Sequence, residues 1–108
     1  MAVTPKRLYS GQPSTTLSQI YTVPVGKTTI VKNIILCNTT ATDAKIDIYF
    51  VSGGSTLPKD KVISQYTVAA NDTVVVDLSA VLESASNISA AQNTANAITV
   101  YISGVEVS

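Results

Sequence analysis

The segment that most constrains the fold is residues 28–51, where two runs rich in β-branched residues flank a short polar cluster. The runs read TTIVKNIILCN and AKIDIYFV, and the five residues between them read TTATD. β-branched and aromatic side chains fit a pleated, half-buried surface better than a helix, so both runs are predicted to be strands. We predict that the two strands form a hairpin at the centre of an all-β domain.

The apolar pattern of the first run differs from that of the second. The second run alternates cleanly, which places Ile46, Ile48 and Phe50 on one face. The two faces of the first run carry Ile30, Ile34 and Leu36 on one side and Val31, Ile35 and Cys37 on the other. Its outward face is therefore too apolar for water alone, and we expect another part of the chain or another subunit to cover it.

Further turn and strand patterns divide the rest of the chain. Residues 1–16 are predicted to be an N-terminal arm, which either packs on the surface as an edge strand or reaches a neighbouring subunit. Strands are predicted at 17–23, 62–68, 72–78 and 96–107, and the second and third of these as a further hairpin. Glycines 53 and 54 and Pro58 predict an exposed connection between residues 52 and 61. Residues 79–97 are predicted to be a loop with a short turn of helix or a short strand near Ile88. Gly104 is predicted to mark a bulge that re-phases Val105 and Val107.

These elements predict a single antiparallel β-sandwich of six to eight strands, jelly-roll-like, over residues 17–108. Charged residues make up only 13% of the 108 residues, about half of the roughly 25% that is usual for soluble domains, and the net charge is zero. A chain so poor in charge has little electrostatic protection against association. We therefore expect a homo-oligomer.

The composition also argues against several classes of function. There is no histidine, which excludes Ser–His and Cys–His catalysis and a Cys/His zinc site. The seven carboxylates are scattered along a chain too short for a deep catalytic cleft, and no spacing pattern among them indicates a metal site. We expect no enzyme, cofactor or metal. No basic patch with interleaved aromatics indicates nucleic-acid binding. Neither a signal peptide nor an apolar run of about 18 residues is found, so we expect a protein made in the cytoplasm that does not enter a membrane.

Several strand and turn sequences resemble those of a known group of proteins. They are YTVPVGKT at 21–28, IILCNTT at 34–40, AANDT at 69–73, Leu82-Glu83, and ISGVE at 102–106. Across about residues 17–107, the chain resembles the small β-sandwich virion proteins of tailed bacteriophages, which decorate heads or build tail and baseplate accessories. It departs from the family pattern at Ser84-Ala85-Ser86, where a glycine is expected.

The resemblance implies a structural role without catalysis, often as trimers or higher rings. Our leading hypothesis is a capsid decoration or cement protein that contacts the major capsid protein or another virion protein, in a virion assembled in the host cytoplasm. The alternatives are a tail, baseplate or fibre module that binds host-surface glycans, and a small enzyme. The candidate subunit-interface residues are Leu8, Tyr9, Val31, Ile35, Val75 and Tyr101.

Overall fold

The computed structural model describes residues 3–52 and 60–108, which fold into eight antiparallel strands. The strands are β1 (Val3–Gly11), β2 (Ser18–Thr22), β3 (Thr28–Asn38), β4 (Ala44–Val51), β5 (Lys61–Val68), β6 (Thr73–Leu82), β7 (Asn87–Gln92) and β8 (Ile98–Val107). The predicted connection between residues 52 and 61 lies largely outside the described residues. Within the described ranges, the chain has no helix long and apolar enough to cross a membrane.

The strands form two four-stranded sheets packed face to face. The first sheet has the order β1-β8-β3-β6 and the second the order β2-β7-β4-β5. Every connection between consecutive strands crosses from one sheet to the other, except that between β4 and β5. This order is that of a jelly roll, in which two Greek keys wrap around one core. The predicted antiparallel sandwich of six to eight strands is confirmed, with eight strands.

Both predicted hairpins are wrong, because each pair of strands is divided between the sheets. β3 pairs with β6 and β8, whereas β4 pairs with β5 and β7. The buried side chain of Asn38 holds the corner between β3 and β4. Its Nδ2 donates hydrogen bonds to the carbonyls of Thr42 (2.8 Å) and Val68 (2.9 Å), and its Oδ1 accepts one from the Thr40 amide (2.9 Å). The polar cluster therefore turns the chain into the opposite sheet instead of folding it back beside β3.

The second predicted hairpin, between β5 and β6, fails at a similar corner. Asn71 adopts a positive φ of 57°, and its amide donates to the Thr40 carbonyl (3.0 Å). The Asn38 amide in turn donates to the Asp72 carbonyl (2.9 Å). The turn between β5 and β6 is thus bonded to the turn between β3 and β4, and both corners cross between sheets at the same end of the sandwich.

The core consists of aliphatic side chains from the inner faces of both sheets. The largest fully buried side chains include Ile34, Leu36, Ile46, Ile48, Ile88, Ile98, Val100 and Ile102. The alternation predicted for β4 is confirmed, β8 alternates in the same way, and on β6 Val74, Val76 and Leu78 pack against the core. A short strand near Ile88 is also confirmed as β7, whose residues are almost all buried.

A bulge in β3 reverses its inward and outward positions halfway along. Thr29 and Val31 are buried before it, and Ile34 and Leu36 are buried after it. The register with both neighbouring strands shifts between Val31 and Asn33. The predicted faces of Ile30 and Val31 are therefore wrong. Relative to β8 the extra residue of the bulge is Lys32, which stays exposed. Relative to β6 the extra residue lies in β6, where Leu78 and Ser79 stand opposite Lys32.

The bulge predicted in β8 lies in its neighbours instead. β8 alternates without interruption from Ile98 to Val107, so Val105 and Val107 are not re-phased. The register shifts fall opposite Gly104 and its flanking residues, in β1 and β3. Gly104 packs so closely that a Cβ atom there would clash with the carbonyl oxygen of Ile30. Glycine at this position lets the bulged strand β3 approach β8 closely.

Residues of the predicted arm form β1, an edge strand that pairs with β8 from Val3 to Gly11. The Leu8 side chain is buried in the core at 7% exposure, which ties the strand down. Pairing as an edge strand was one of the two alternatives for this segment. Contact with a neighbouring subunit remains a prediction.

Candidate interaction surface

The outer side of the first sheet carries two transverse rows of apolar side chains. The register aligns Val75 of β6, Ile35 of β3 and Tyr101 of β8, which we call the Tyr101 row. Towards the other end of the sheet it aligns Val81, Ile30 and Val105, which we call the Val105 row. Directly opposite residues in a ladder lie on the same face, so each row is a continuous strip across three strands.

These rows are open to solvent at their ends. Val75 is 55% exposed, Val81 62% and Tyr101 38%, whereas the isoleucines between them are half-buried by their neighbours. Val3 and Val107 pair with each other beyond the Val105 row and extend it, and Val3 is also exposed. Exposed apolar strips of this kind mark contact sites on soluble proteins. We call this side of the first sheet the outer face.

A polar belt separates the two rows. The register aligns Arg7, Ser103, Asn33 and Asp77 across all four strands, and the Ser103 hydroxyl donates a hydrogen bond to the Asn33 side-chain oxygen (3.1 Å). Lys32 projects from the bulge beside this belt and donates to the Ser79 hydroxyl at 3.5 Å. Strands lie about 4.8 Å apart, so Arg7 and Asp77 stand roughly 14 Å from each other at opposite edges. Neither has an ion-pair partner among the described residues.

The structure brings together three of the six predicted interface residues. Ile35, Val75 and Tyr101 form the Tyr101 row. The side chains of Leu8 and Val31 are buried in the core instead, and that of Tyr9 packs against it. Bulges account for these positions, because the phase of β1 shifts between Arg7 and Tyr9 and that of β3 shifts after Val31.

The sequence pattern does not predict the Val105 row. It places Ile30 inward with Ile34, although the bulge at Lys32 turns Ile30 outward. It also predicts that Gly104 re-phases Val105, although β8 continues regularly. The available signal is the period of β8 itself, because continuing the inward phase of Ile98, Val100 and Ile102 places Val105 and Val107 on the outward side.

A second apolar feature lies where the edge strands β5 and β6 meet. It is a shallow groove lined by Val62, Ile63, Ser64, Tyr66 and Val76. Tyr66 belongs to the second sheet and Tyr101 to the first, so these two exposed tyrosines do not share a sheet face. Glycan-binding platforms commonly gather aromatic rings on one surface, and these two residues do not form such a platform.

One end of the sandwich contains a buried carboxylate, Glu106, which is 4% exposed. The Tyr21 hydroxyl donates to its Oε2 (2.5 Å) and lies 2.9 Å from the Thr29 hydroxyl. The Lys6 ammonium lies 3.3 Å from Oε2 and the Lys27 ammonium 3.7 Å from Oε1. Since Tyr21 belongs to the second sheet and Glu106 to the first, this cluster links the two sheets.

The contacts of the cluster determine its protonation. The hydrogen bond from Tyr21, together with the two lysines, lowers the pKa of Glu106 below its ordinary value, although burial acts in the opposite direction. Burial and the bond to Glu106 raise the pKa of Tyr21 to about 12. The cluster is therefore an ionised carboxylate held by a neutral phenol and two ammonium groups, an arrangement that cross-links the sheets and offers no activated nucleophile.

Within residues 3–52 and 60–108, no group of three or more His, Cys, Asp or Glu side chains is placed to hold a metal ion. Cys37 is a free, half-buried thiol on β3. No protein-family model matches the sequence, and a search of the curated proteins finds no significant match.

Proposed function

We propose that this chain is a structural subunit of a bacteriophage virion, a decoration or cement protein that stabilises the capsid through subunit contacts. The observation that carries the proposal is the outer face. A rigid sheet presents two apolar rows to solvent, with Val75 and Val81 more than half exposed. Covering such rows contributes roughly 25 cal/mol for each Å² of apolar surface removed from water.

The architecture supports a passive mechanical role. A jelly roll closes its core between two sheets, so an outer face remains available for assembly without any change in the protomer. Fold alone does not assign function, because the same architecture also serves lectins and enzymes. The low charge content, the apolar rows and the resemblance of the strand and turn sequences to tailed-phage virion proteins together favour the structural role.

The proposal is tested by adding the purified chain to capsids of the phage that encodes it, prepared without the protein. We expect saturable binding and a higher temperature of capsid disruption. A Val75→Lys variant places a charge in an apolar row that joins neighbouring subunits of this chain, so it should occupy the capsids at least about tenfold more weakly. The matched control is Thr67→Lys, at an exposed position of the second sheet, which should bind as the wild type does. A chain that binds no capsid and is absent from purified virions would refute the proposal.

A further inference from the structure

We propose that a second copy of this chain covers the outer face, across a two-fold axis that lies in the interface and runs along the strands between β8 and β3. This inference deepens the proposed function, and it rests on the subunit contacts that the proposed function assigns to the outer face. The occupant is identified by the charges of the polar belt, the alignment of the apolar rows and the size of the sheet.

Rotation about the proposed axis reverses the order of the strands in the partner sheet. Each row keeps its position along the strand direction. Two sheets related in this way stack about 10 Å apart with nearly parallel strands, which is the aligned packing of β-sandwiches. β8 then lies over the partner's β3, and β1 over the partner's β6. Each contact occurs twice, as in any interface formed by a two-fold axis.

The apolar rows are complementary under this operation. The Tyr101 row lies over the partner's Tyr101 row in reverse order, so Tyr101 packs on the partner's Ile35 and Ile35 on the partner's Tyr101. In the Val105 row, Val105 and Ile30 exchange contacts in the same manner. In the Tyr101 row a large, exposed side chain thus meets a smaller, half-buried one, and aromatic side chains near the centre of an interface commonly dominate its energy.

The polar belt selects this axis over the alternative. Arg7 and Asp77 stand at opposite ends of the belt. The reversed strand order therefore places Arg7 over the partner's Asp77 and Asp77 over the partner's Arg7, which forms two ion pairs. A two-fold axis across the strands and centred on the belt would instead place Arg7 on Arg7, Asp77 on Asp77 and Lys32 on Lys32. Like charges in contact oppose association, so the charge pattern favours the axis along the strands.

The sheet is large enough to form a dimer. Four strands of about ten residues give a face of roughly 19 Å by 33 Å, or about 600 Å². This flat area, before the relief of the side chains is counted, approaches the ~800 Å² of accessible surface that each partner buries in a standard interface. Pairing of two β6 edges would extend the sheet but leave both outer faces uncovered.

The inference is tested by sedimentation equilibrium of four proteins: the wild type, Arg7→Asp, Asp77→Arg, and the double variant. Each single reversal replaces two attractive pairs by two like-charge contacts, so we expect the dimer dissociation constant to rise at least about tenfold. The double variant should return to within about threefold of the wild type. Lys45→Asp, at an exposed position of the second sheet, is the matched charge-reversal control and should leave the dissociation constant unchanged.

A second measurement reports the orientation directly. In a Cys37→Ser background, the double variant Arg7→Cys/Asp77→Cys should form covalent dimers with a short bismaleimide, and each single cysteine variant should not. A cross-linker is required because sheets stacked about 10 Å apart exceed the span of a disulfide.

Three results would overturn the inference: a monomeric wild type, single reversals without effect, or no recovery in the double variant. Circular dichroism of each variant shows whether it is folded, and the cross-linking gives an answer even if one reversal proves unstable. If the charge reversals have no effect but the chain still binds capsids, the inference fails and the proposed function stands. If the dimer is confirmed but capsids are not bound, the proposed function fails.

Discussion

Replacing Gly104 by alanine tests whether close contact between β3 and β8 determines the centre of the first sheet. An alanine Cβ at this position would clash with the carbonyl oxygen of Ile30 and lie only 3.1 Å from the Ile30 carbonyl carbon and 3.2 Å from the Val31 Cα. All three atoms belong to the backbone, so no side-chain rotation can relieve the clash. The two strands must move apart where β3 carries its bulge.

The expected cost has two parts. Overpacking by one carbon in a rigid site costs about 1–3 kcal/mol. Separating the strands weakens about two ladder hydrogen bonds, each of which contributes about 1 kcal/mol. The free energy of unfolding should therefore fall by about 3–5 kcal/mol. A domain of this size has a total stability of only about 5–15 kcal/mol, so the variant should be severely destabilised.

Urea denaturation measures this change, followed by far-UV circular dichroism and by tyrosine fluorescence, since the chain has five tyrosines and no tryptophan. Each curve is recorded at two protein concentrations, because association would add to the apparent stability. The matched control is Gly11→Ala, because the three atoms nearest the new Cβ all belong to the side chain of Tyr9, which can move. This substitution should cost less than about 1 kcal/mol. Equal stability losses in the two variants would refute the reasoning.

Two further substitutions have expected effects of opposite sign at neutral pH. Ala85 adopts a positive φ of 68°, a conformation that costs an alanine about 1–2 kcal/mol and that glycine adopts without strain. Glycine gains more chain entropy on unfolding, which offsets part of this benefit, so Ala85→Gly should raise the free energy of unfolding by about 0.5 kcal/mol in urea denaturation. Glu106→Gln should lower stability at pH 7 and flatten its acid dependence. Because folding lowers the pKa of Glu106 from about 4.5, its contribution is fully present above that pH and is lost as the pH falls through the folded value. Thermal unfolding from pH 7 to pH 3 checks this, and parallel wild-type and variant curves would contradict it.

The parts of the fold that could be predicted from sequence are those governed by uninterrupted alternation. In β6 and β8, and in β4 as far as Tyr49, each inward residue is followed by an outward one, so the period alone assigns Ile48, Val76 and Val100 to the core side. In β3 the same reasoning works from Asn33 onward and fails before it. Lys32 is polar and fits either phase, so nothing in the local sequence marks it as an extra residue. The bulge is determined by the neighbouring strand, where Gly104 permits the close approach.

The topology could not be read from local sequence for a related reason. The residues between β3 and β4 have the composition of a hairpin turn, and turn residues also suit a corner that leads to another sheet. The choice is made by bonds to distant parts of the chain. The side-chain amide of Asn38 donates a hydrogen bond to the Val68 carbonyl, and the backbone amide of Thr39 donates one to the Ala97 carbonyl at 2.8 Å. Such partners become visible only when both sheets are in place.

The bulges also explain why the outer face has an apolar row on each side of the polar belt. Without the extra residue in β3, Val31 would point outward in place of Ile30, and the Val105 row would lose its central isoleucine. The same level of the sheet places Arg7, Lys32 and Asp77 at the surface. Apolar rows alone would bind a partner sheet in several orientations, because hydrophobic contact is not directional. The charges of the polar belt favour one orientation of the partner sheet. The bulge in β3, which the sequence pattern does not predict, therefore also contributes to the specificity of the proposed interface.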